Sequence, residues 1–224
     1  MQVSLLPTSP ALLDIAYAAA RQCYSPQNAG EMSFPVDREK AAELIRKVME
    51  SGHFSVLEHI NLTFAISGVS RVLTHQLVRH RHASYSQQSQ RYVRVARAYT
   101  VPPSILWKPE ALTAYVDIME AAQATYDQLT TELGISQEDA RYIIPHCVHS
   151  AIVVTMNARE LYSVFFPLRC CARAQWEIRD LARAMLVLCK KELPDVFDQA
   201  GASCKILGYC PEGQDKTCGA VPCR

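Results

Sequence analysis

RHRHASYSQQSQRY, residues 79–92, places two arginines and two histidines in four positions, runs through hydroxyls and amides, and reaches Arg91 without a carboxylate. Widening the window to residues 71–97 gives six arginines and three histidines and still no acid. The whole chain is nevertheless balanced, with Lys+Arg 23 against Asp+Glu 22 and a net charge of +1. The excess is therefore local, and its counter-charge has to come from a distant part of the chain or from a ligand.

Two readings stay open on charge alone. In one, the segment is a solvated basic face whose arginines find distant acids such as Glu31, Glu58 or Glu138. In the other it is an anion site. Guanidinium forks match phosphate oxygens in bidentate geometry, and Ser84, Ser86, Gln87, Gln88, Ser89 and Gln90 complete a cradle with neutral hydrogen bonds. The second reading expects a buried patch of guanidinium groups, made tolerable by bound phosphates.

The rest of the chain narrows the class. With 224 residues, 49% of them hydrophobic, it buries a sizeable core in one domain or two closely packed lobes. Near-neutral net charge gives no field for generic attachment to DNA or to anionic membranes. Residues 142–158 form the longest stretch without Asp, Glu, Lys or Arg, but it is too short for a membrane span and contains Pro145, His146, His149 and Asn157. MQVSLLPTSPALLDIA lacks a basic leader, and Pro7, Pro10 and Asp14 interrupt its apolar run. A cytoplasmic protein with mostly reduced cysteines, nine in all, is expected.

Local signals lay out the elements. Residues 9–24 predict a helix broken at SPQNAG, and DREKAAELIRKVMESG predicts another that starts at Asp37, carries Ala41, Leu44, Ile45 and Val48 on one face, and stops at Gly52. INLTFAIS alternates Ile60, Leu62, Phe64 and Ile66 with smaller or polar residues, as a half-buried strand does; a second strand is expected over residues 92–99. Between them a helix is read with Val69, Val72, Leu73 and Leu77 as its stripe and Arg71, His75 and Arg79 on another face. Pro109 and Gly134 bracket a long helix, Ser136 and Asp139 form the capping box of a short one, and Pro145 ends it. VHSAIVVTM predicts a strand with Ile152, Val154 and Met156 on one side, followed by helix from Asn157 and over residues 174–193. No GxGxxG follows a strand and no GxxxxGK[ST] occurs, so neither a Rossmann domain nor a P-loop is supported.

At this point the segment resembles the signature of the flavin-dependent thymidylate synthases (ThyX): Arg-His-Arg, seven residues, Ser, and an Arg two further on, matched by Arg79, His80, Arg81, Ser89 and Arg91. The likeness extends to SGHFSVLEH (51–59), EDARYIIP (138–145), Asn-Ala-Arg (157–159), and Leu-Arg (168–169) with AQWEI (174–178). The resemblance implies an α+β fold, a central and mostly antiparallel sheet with helices packed on it, in a homotetramer with shared active sites. It implies reductive methylation of dUMP to dTMP, with methylenetetrahydrofolate as carbon donor and NADPH as reductant acting through FAD. It points to no nucleic-acid, membrane or metal partner.

Carried over by position, Ser55, Arg79, His80, Arg81, Gln87, Asn157, Ala158 and Arg159 contact FAD. Gln76, Arg79, Gln87, Gln88, Ser89, Gln90, Arg91, Arg141 and Arg169 contact dUMP. Arg169 is the expected catalytic residue, a cation that stabilises negative charge on the pyrimidine as its C5 becomes nucleophilic. His53 is its expected companion near the flavin, with helix capping as the alternative. Ser89 as a nucleophile lacks an evident base, Arg141 has a helix salt bridge to Glu138 as its alternative, and His59 and His75 are read as packing or hydrogen-bonding residues. The chain departs from the family pattern at Gln87, where Glu is frequent, at Arg173, where His is frequent, and by one extra residue between Asn157 and Arg169.

Residues 1–200 are expected to form one catalytic domain and residues 201–224 a cysteine-rich tail. Cys204, Cys210, Cys218 and Cys223 suffice for a thiolate zinc site, but their spacings of five, seven and four residues contain no CxxC pair, so a tail with incidental thiols is the expectation. The rival in function is a nucleic-acid-binding module built on the Arg71–Arg97 segment, with its interleaved tyrosines.

Overall fold

Period-two segments make the sheet. In the computed structural model, which describes residues 1–223, the strands are β1 (Gln2–Leu5), β2 (Asn61–Ser70), β3 (Ala83–Gln87) and β4 (His149–Asn157). They lie in the order β1-β2-β4-β3 with antiparallel neighbours, giving the α+β architecture expected and no Rossmann topology. Leu62, Phe64 and Ile66 of β2 and Ile152, Val154 and Met156 of β4 are buried, each no more than 2% exposed. On the opposite face the Thr63 and Thr155 hydroxyls meet at 2.9 Å, a cross-strand pair that fixes the register.

Helix boundaries follow their caps. Helix α1 (Leu12–Tyr24) buries Leu12, Leu13, Ala16, Tyr17 and Ala20. Helix α2 (Arg38–Glu50) starts where the Asp37 carboxylate accepts from the Lys40 N–H at 2.9 Å, and it buries Ala41, Ala42 and Ile45. Gly52, at φ 76°, then turns the chain through a region that other residues rarely enter. Helix α3 (Arg71–Leu77) is capped by Ser70, whose Oγ accepts from the Leu73 N–H at 3.0 Å. The helix Pro109–Asp127 passes into a π-helical turn over Gln128–Glu132. Ser136 caps Gln137–Ala140, as its spacing to Asp139 predicts.

Three expectations are corrected. Residues 92–99 form no strand; Tyr99 alone makes an antiparallel bridge, to Val148, while Val95 sinks into a core with Met119, Tyr126, Ala140 and Val148. The strand lies instead at Ala83–Gln87, a polar segment drawn into the sheet by pairing with β4 and continued by the Gln88 N–H to Ala151 O bond at 2.9 Å. Val69 belongs to β2 and Val72 is 41% exposed, so the α3 stripe is reduced to Leu73 and Leu77. Strand β1 carries no long apolar alternation and was not anticipated.

The chain divides into two compact units, one of residues 1–2, 66–79 and 85–153, the other of residues 3–65, 80–84 and the chain from 154 onward. The first centres on the Val95–Tyr126 core and the helix Pro109–Asp127. The second holds α1, α2 and the helix Trp176–Glu192, which buries Ile178, Leu181, Ala182 and Met185. Its aromatic centre is Phe166, edge-on to Phe165 at 5.6 Å and to Phe197 at 6.0 Å. Among the described residues no helix is long and apolar enough to cross a membrane.

The two faces of β2 differ in consequence. Phe64→Ala removes a fully buried ring and is expected to destabilise the protein by about 3–5 kcal/mol in urea unfolding. Thr63→Ala, which removes only the hydroxyl contact across the strands, is expected to cost about 1 kcal/mol.

Candidate active site

A carboxylate and an imidazole buried together are the chemical centre of the second unit. Glu160 and His80 are each 6% exposed, and His80 Nδ1 lies 3.2 Å from Glu160 Oε1. Arg169 donates its Nε–H to His80 Nε2 at 3.0 Å. An imidazole that accepts at Nε2 carries its proton on Nδ1, so Nδ1–H donates to Glu160 and the ring is neutral. Burial is the main reason the His80 pKa is lowered; the Arg169 charge adds to it, and the Glu160 hydrogen bond opposes it. Phe165 meets the ring edge-on at 5.0 Å and holds its plane.

Backbone geometry delivers these groups. The Asn157 side chain accepts from the Glu160 N–H at 2.8 Å and starts a short helix, Ala158–Glu160. Leu161–Phe165 then form a π-helical turn before the helix Phe166–Arg169. A π turn holds one residue more than an α turn, so this turn sets how far round the helix Arg169 lies from Asn157. Arg169 is half-buried, and burial lowers its pKa without removing the charge. It lines a cavity of about 490 Å³ together with Cys170, Arg173, Arg183, Cys210 and Lys216.

The other second-unit candidates sit nearby in sequence or on the surface. Asn157 and Arg159 line a cavity of about 390 Å³ with Glu58, His82 and Glu160, and Arg159 is ion-paired to Glu58. Ala158 is fully buried with its N–H donated to Ile60 O, so it shapes the turn from inside. His53 and Ser55 are exposed at the start of the 3₁₀ helix Phe54–His59. The His53 backbone N–H bonds Val48 O at 3.0 Å, closing α2, while its imidazole makes no cap. Arg81 is exposed.

In the first unit Gln87 spends its amide on Thr74 Oγ1 and Ser150 Oγ, both at 3.0 Å. Ser89 Oγ accepts from the Arg91 N–H at 3.2 Å, an ordinary turn contact, and among the described residues no hydrogen bond joins it to a histidine or a carboxylate. Arg91 and Arg141 converge on one residue: Arg91 Nε lies 2.9 Å from the Glu138 carboxylate, and Arg141 Nε donates to the Glu138 carbonyl at 3.0 Å. The Arg141 alternative is thus half right, since the partner is Glu138 but the acceptor is its backbone. Gln76 and Gln90 are half-buried, and Arg79 and Gln88 are exposed.

The acid-free segment therefore finds its counter-charge in two ways. Arg94 and Arg97 each reach Asp127 at 2.7 Å, and Arg91 reaches Glu138. The Arg94 hydrogen bond above all holds Asp127 below the usual carboxylate range. Among the described residues Arg71, Arg79 and Arg81 form no ion pair. The arginines are exposed or half-exposed, so the expected buried patch is not present in this chain, whose only fully sequestered cation-forming side chain in the segment is His80. Sequence reading missed Glu160, Phe165, Thr74, Ser150 and Asp127. Glu160 left a signal, a lone acid ahead of the apolar run LYSVFFPL.

The chain matches the family described as "Thymidylate synthase complementing protein" over residues 4–195. It is 47% identical to the flavin-dependent thymidylate synthase of Nitratidesulfovibrio vulgaris, across 100% of this chain and 96% of that protein. It is 43% identical to that of Clostridium tetani, across 98% and 93%. Among solved structures it is similar to a UMP/dUMP methylase, PolB from Streptomyces cacaoi, bound with 5-Br dUMP, with a TM-score of 0.73 and 26% identity over 88% of this chain and 93% of that one.

The buried neutral imidazole makes stability pH-dependent. Because the folded ring titrates below the ordinary value of about 6.5, the unfolded chain takes up the proton first as pH falls. The contribution is complete above about pH 6.5 and is lost as pH falls through the folded pKa. Melting temperatures between pH 7.5 and 5 are expected to fall more steeply for the native protein than for His80→Gln; parallel curves would contradict the neutral assignment.

Proposed function

We infer what this site does from one premise: the chain belongs to the flavin-dependent thymidylate synthase family. It is a methyltransferase that converts dUMP to dTMP with a flavin as its redox group. The observation that carries the reading in this chain is Arg169, held by a buried neutral histidine in the lining of a cavity rich in cations. The nucleic-acid alternative is not favoured, since Arg94 and Arg97 spend their charge on Asp127.

The finer assignment is FAD as the flavin, methylenetetrahydrofolate as carbon donor and NADPH as reductant. The donor set fits an anionic dinucleotide: Arg79 and Arg81 are exposed cations with no acid partner among the described residues, and hydrogen-bonding side chains stand at Ser55, Gln87 and Asn157. These residues, with Arg159 and the turn shaped by His80 and Ala158, would hold the FAD. Bound there, the flavin supplies two-electron chemistry that side chains lack. For dUMP we assign Gln76, Arg79, the run Gln87, Gln88, Ser89, Gln90 and Arg91, and Arg141, with the phosphate drawing Arg91 and Arg141 from Glu138.

Arg169 then acts on the pyrimidine. Its Nε–H is committed to His80, so the terminal N–H groups point their charge elsewhere, toward negative charge developing on the uracil ring. No protein nucleophile is needed, which agrees with Ser89 making no hydrogen bond to a histidine or a carboxylate among the described residues. His53, exposed and uncommitted to a cap, is available to move a proton at the ring periphery. Exposed phosphate-binding arginines are weak in water, which supports a homotetramer in which a second copy covers them and shares the site. Residues 1–200 form the catalytic domain and residues 201–224 the tail in this reading, supported by a family match that ends at residue 195. A cytoplasmic location suits its substrates.

Arg169→Ala is expected to keep the bound flavin's absorbance while dTMP formation from dUMP falls by about 10²–10³-fold; unchanged turnover would remove the assigned role. Glu160→Gln preserves an acceptor for His80 Nδ1–H and is expected to retain most of kcat. Glu160→Leu frees the ring and is expected to lower kcat more than it raises KM for dUMP.

A further inference from the structure

The thiols beyond the site differ sharply in environment. Cys170 and Cys189 are buried, and burial pushes the Cys170 thiol up to about 11 and that of Cys189 higher still. Both are poor nucleophiles at neutral pH. Cys210 is as buried as Cys170, at 8% exposed, but its pKa moves the other way: hydrogen bonding from the Thr217 side chain first, then from the Glu212 backbone and the Cys223 thiol, holds it below the usual thiol range.

Backbone pairing sets Cys210 directly against Cys223. The two residues form an isolated parallel bridge, anchored by the Cys210 N–H to Pro222 O bond at 2.8 Å. Neighbouring strands lie about 4.7–4.9 Å apart, inside the range of about 4.4–6.8 Å between Cα atoms that a disulfide spans without moving the backbone. The loop between them contributes Pro211, Glu212, Lys216, Cys218 and Val221 to the wall of the cavity that holds Arg169. Among the described residues no group of three or more His, Cys, Asp or Glu has an arrangement that holds a metal ion. The pairing of two thiols is what the geometry provides.

We propose that Cys210 and Cys223 are a redox-active dithiol, oxidised by small-molecule disulfides to an intramolecular disulfide that cross-links the 210–223 loop in the wall of the Arg169 cavity. The Cys210 thiolate attacks one sulfur of R–S–S–R, forming a mixed disulfide and releasing RS⁻, which takes the proton that Cys210 gave up. Cys223, as thiolate, then attacks the Cys210 sulfur, the mixed S–S bond breaks, and the second R–S⁻ leaves and is protonated. Two protein thiols are oxidised and one external disulfide is reduced to two thiols, so electrons and protons balance. Transient disulfides of this kind are the sort an otherwise reducing compartment permits. Cys218, though exposed and on the same loop, has no backbone bridge to either partner.

The test uses the full-length protein exposed to oxidised glutathione, with peptide mapping by mass spectrometry under non-reducing conditions. The expected product has lost two free thiols and contains one Cys210–Cys223 cross-link, reversible by reductant, with slower hydrogen exchange over residues 211–222. Cys223→Ser is expected to trap glutathione on Cys210, whereas Cys218→Ser leaves the cross-link intact. A link from Cys210 to Cys218, or a Cys210 that stays free while other cysteines carry glutathione, would overturn the proposal. Neither readout depends on turnover, so failure here is separable from failure of the reading of Arg169.

Discussion

A buried imidazole between an acid and a guanidinium has one workable protonation state, and the site is arranged around it. Glu160 accepts a hydrogen bond from the Nδ1–H of His80, which leaves the Nε2 lone pair for Arg169. If the ring were protonated at both nitrogens, Arg169 would face a like charge and lose its acceptor. If the proton sat on Nε2 alone, two N–H groups would oppose each other. The tautomer is therefore set by the acid, and the acid is set by the backbone, because Asn157 caps the helix that carries Glu160. Arg169 gains direction from this chain of contacts, and keeps a planar fork free for whatever enters the cavity.

The arginine-rich segment shows how one sequence feature serves two ends. Arg91, Arg94 and Arg97 come after the arginine-histidine cluster and are met by acids thirty or more residues away, at Asp127 and Glu138. Those ion pairs are exposed and contribute little to stability on their own. Their value is positional: Asp127 ties the irregular residues 94–97 to the end of a long helix, while Glu138 holds Arg91 close to Arg141. Arg79 and Arg81 have no such partner among the described residues. Charge unspent within the fold lies where the family signature lies.

Strong local signals were legible in the sequence, and long-range ones were not. Asp37 and Ser136 act through atoms three residues away, so the helix starts they cap can be read from a short window, whereas the Ser70 cap lies at the end of a strand and is read through as helix. The strands β2 and β4 are equally plain, because every second residue is apolar and buried along most of their length. Strand β3, ASYSQ, is polar; it is a strand only because β4 presents an edge to it, which no local rule encodes. Residues 92–99 have the valines and tyrosines of a strand, yet Val95 and Tyr99 are claimed by the helix Pro109–Asp127 through Met119 and Tyr115. In the site, motif matching found His80 and Arg169 separately, 89 positions apart. It did not find that they touch, nor that Glu160 is the third member, since a shared hydrogen bond leaves no trace in spacing.

The cavity around Arg169 carries this logic into the tail. Cys170 and Cys210 both line it, yet burial raises one thiol while donors from a turn lower the other. Arg169, Arg173, Arg183 and Lys216 belong to the same lining. The cations of the wall therefore do not set the two sulfurs apart: burial governs Cys170 against the pull of Arg183, and local hydrogen bonding governs Cys210.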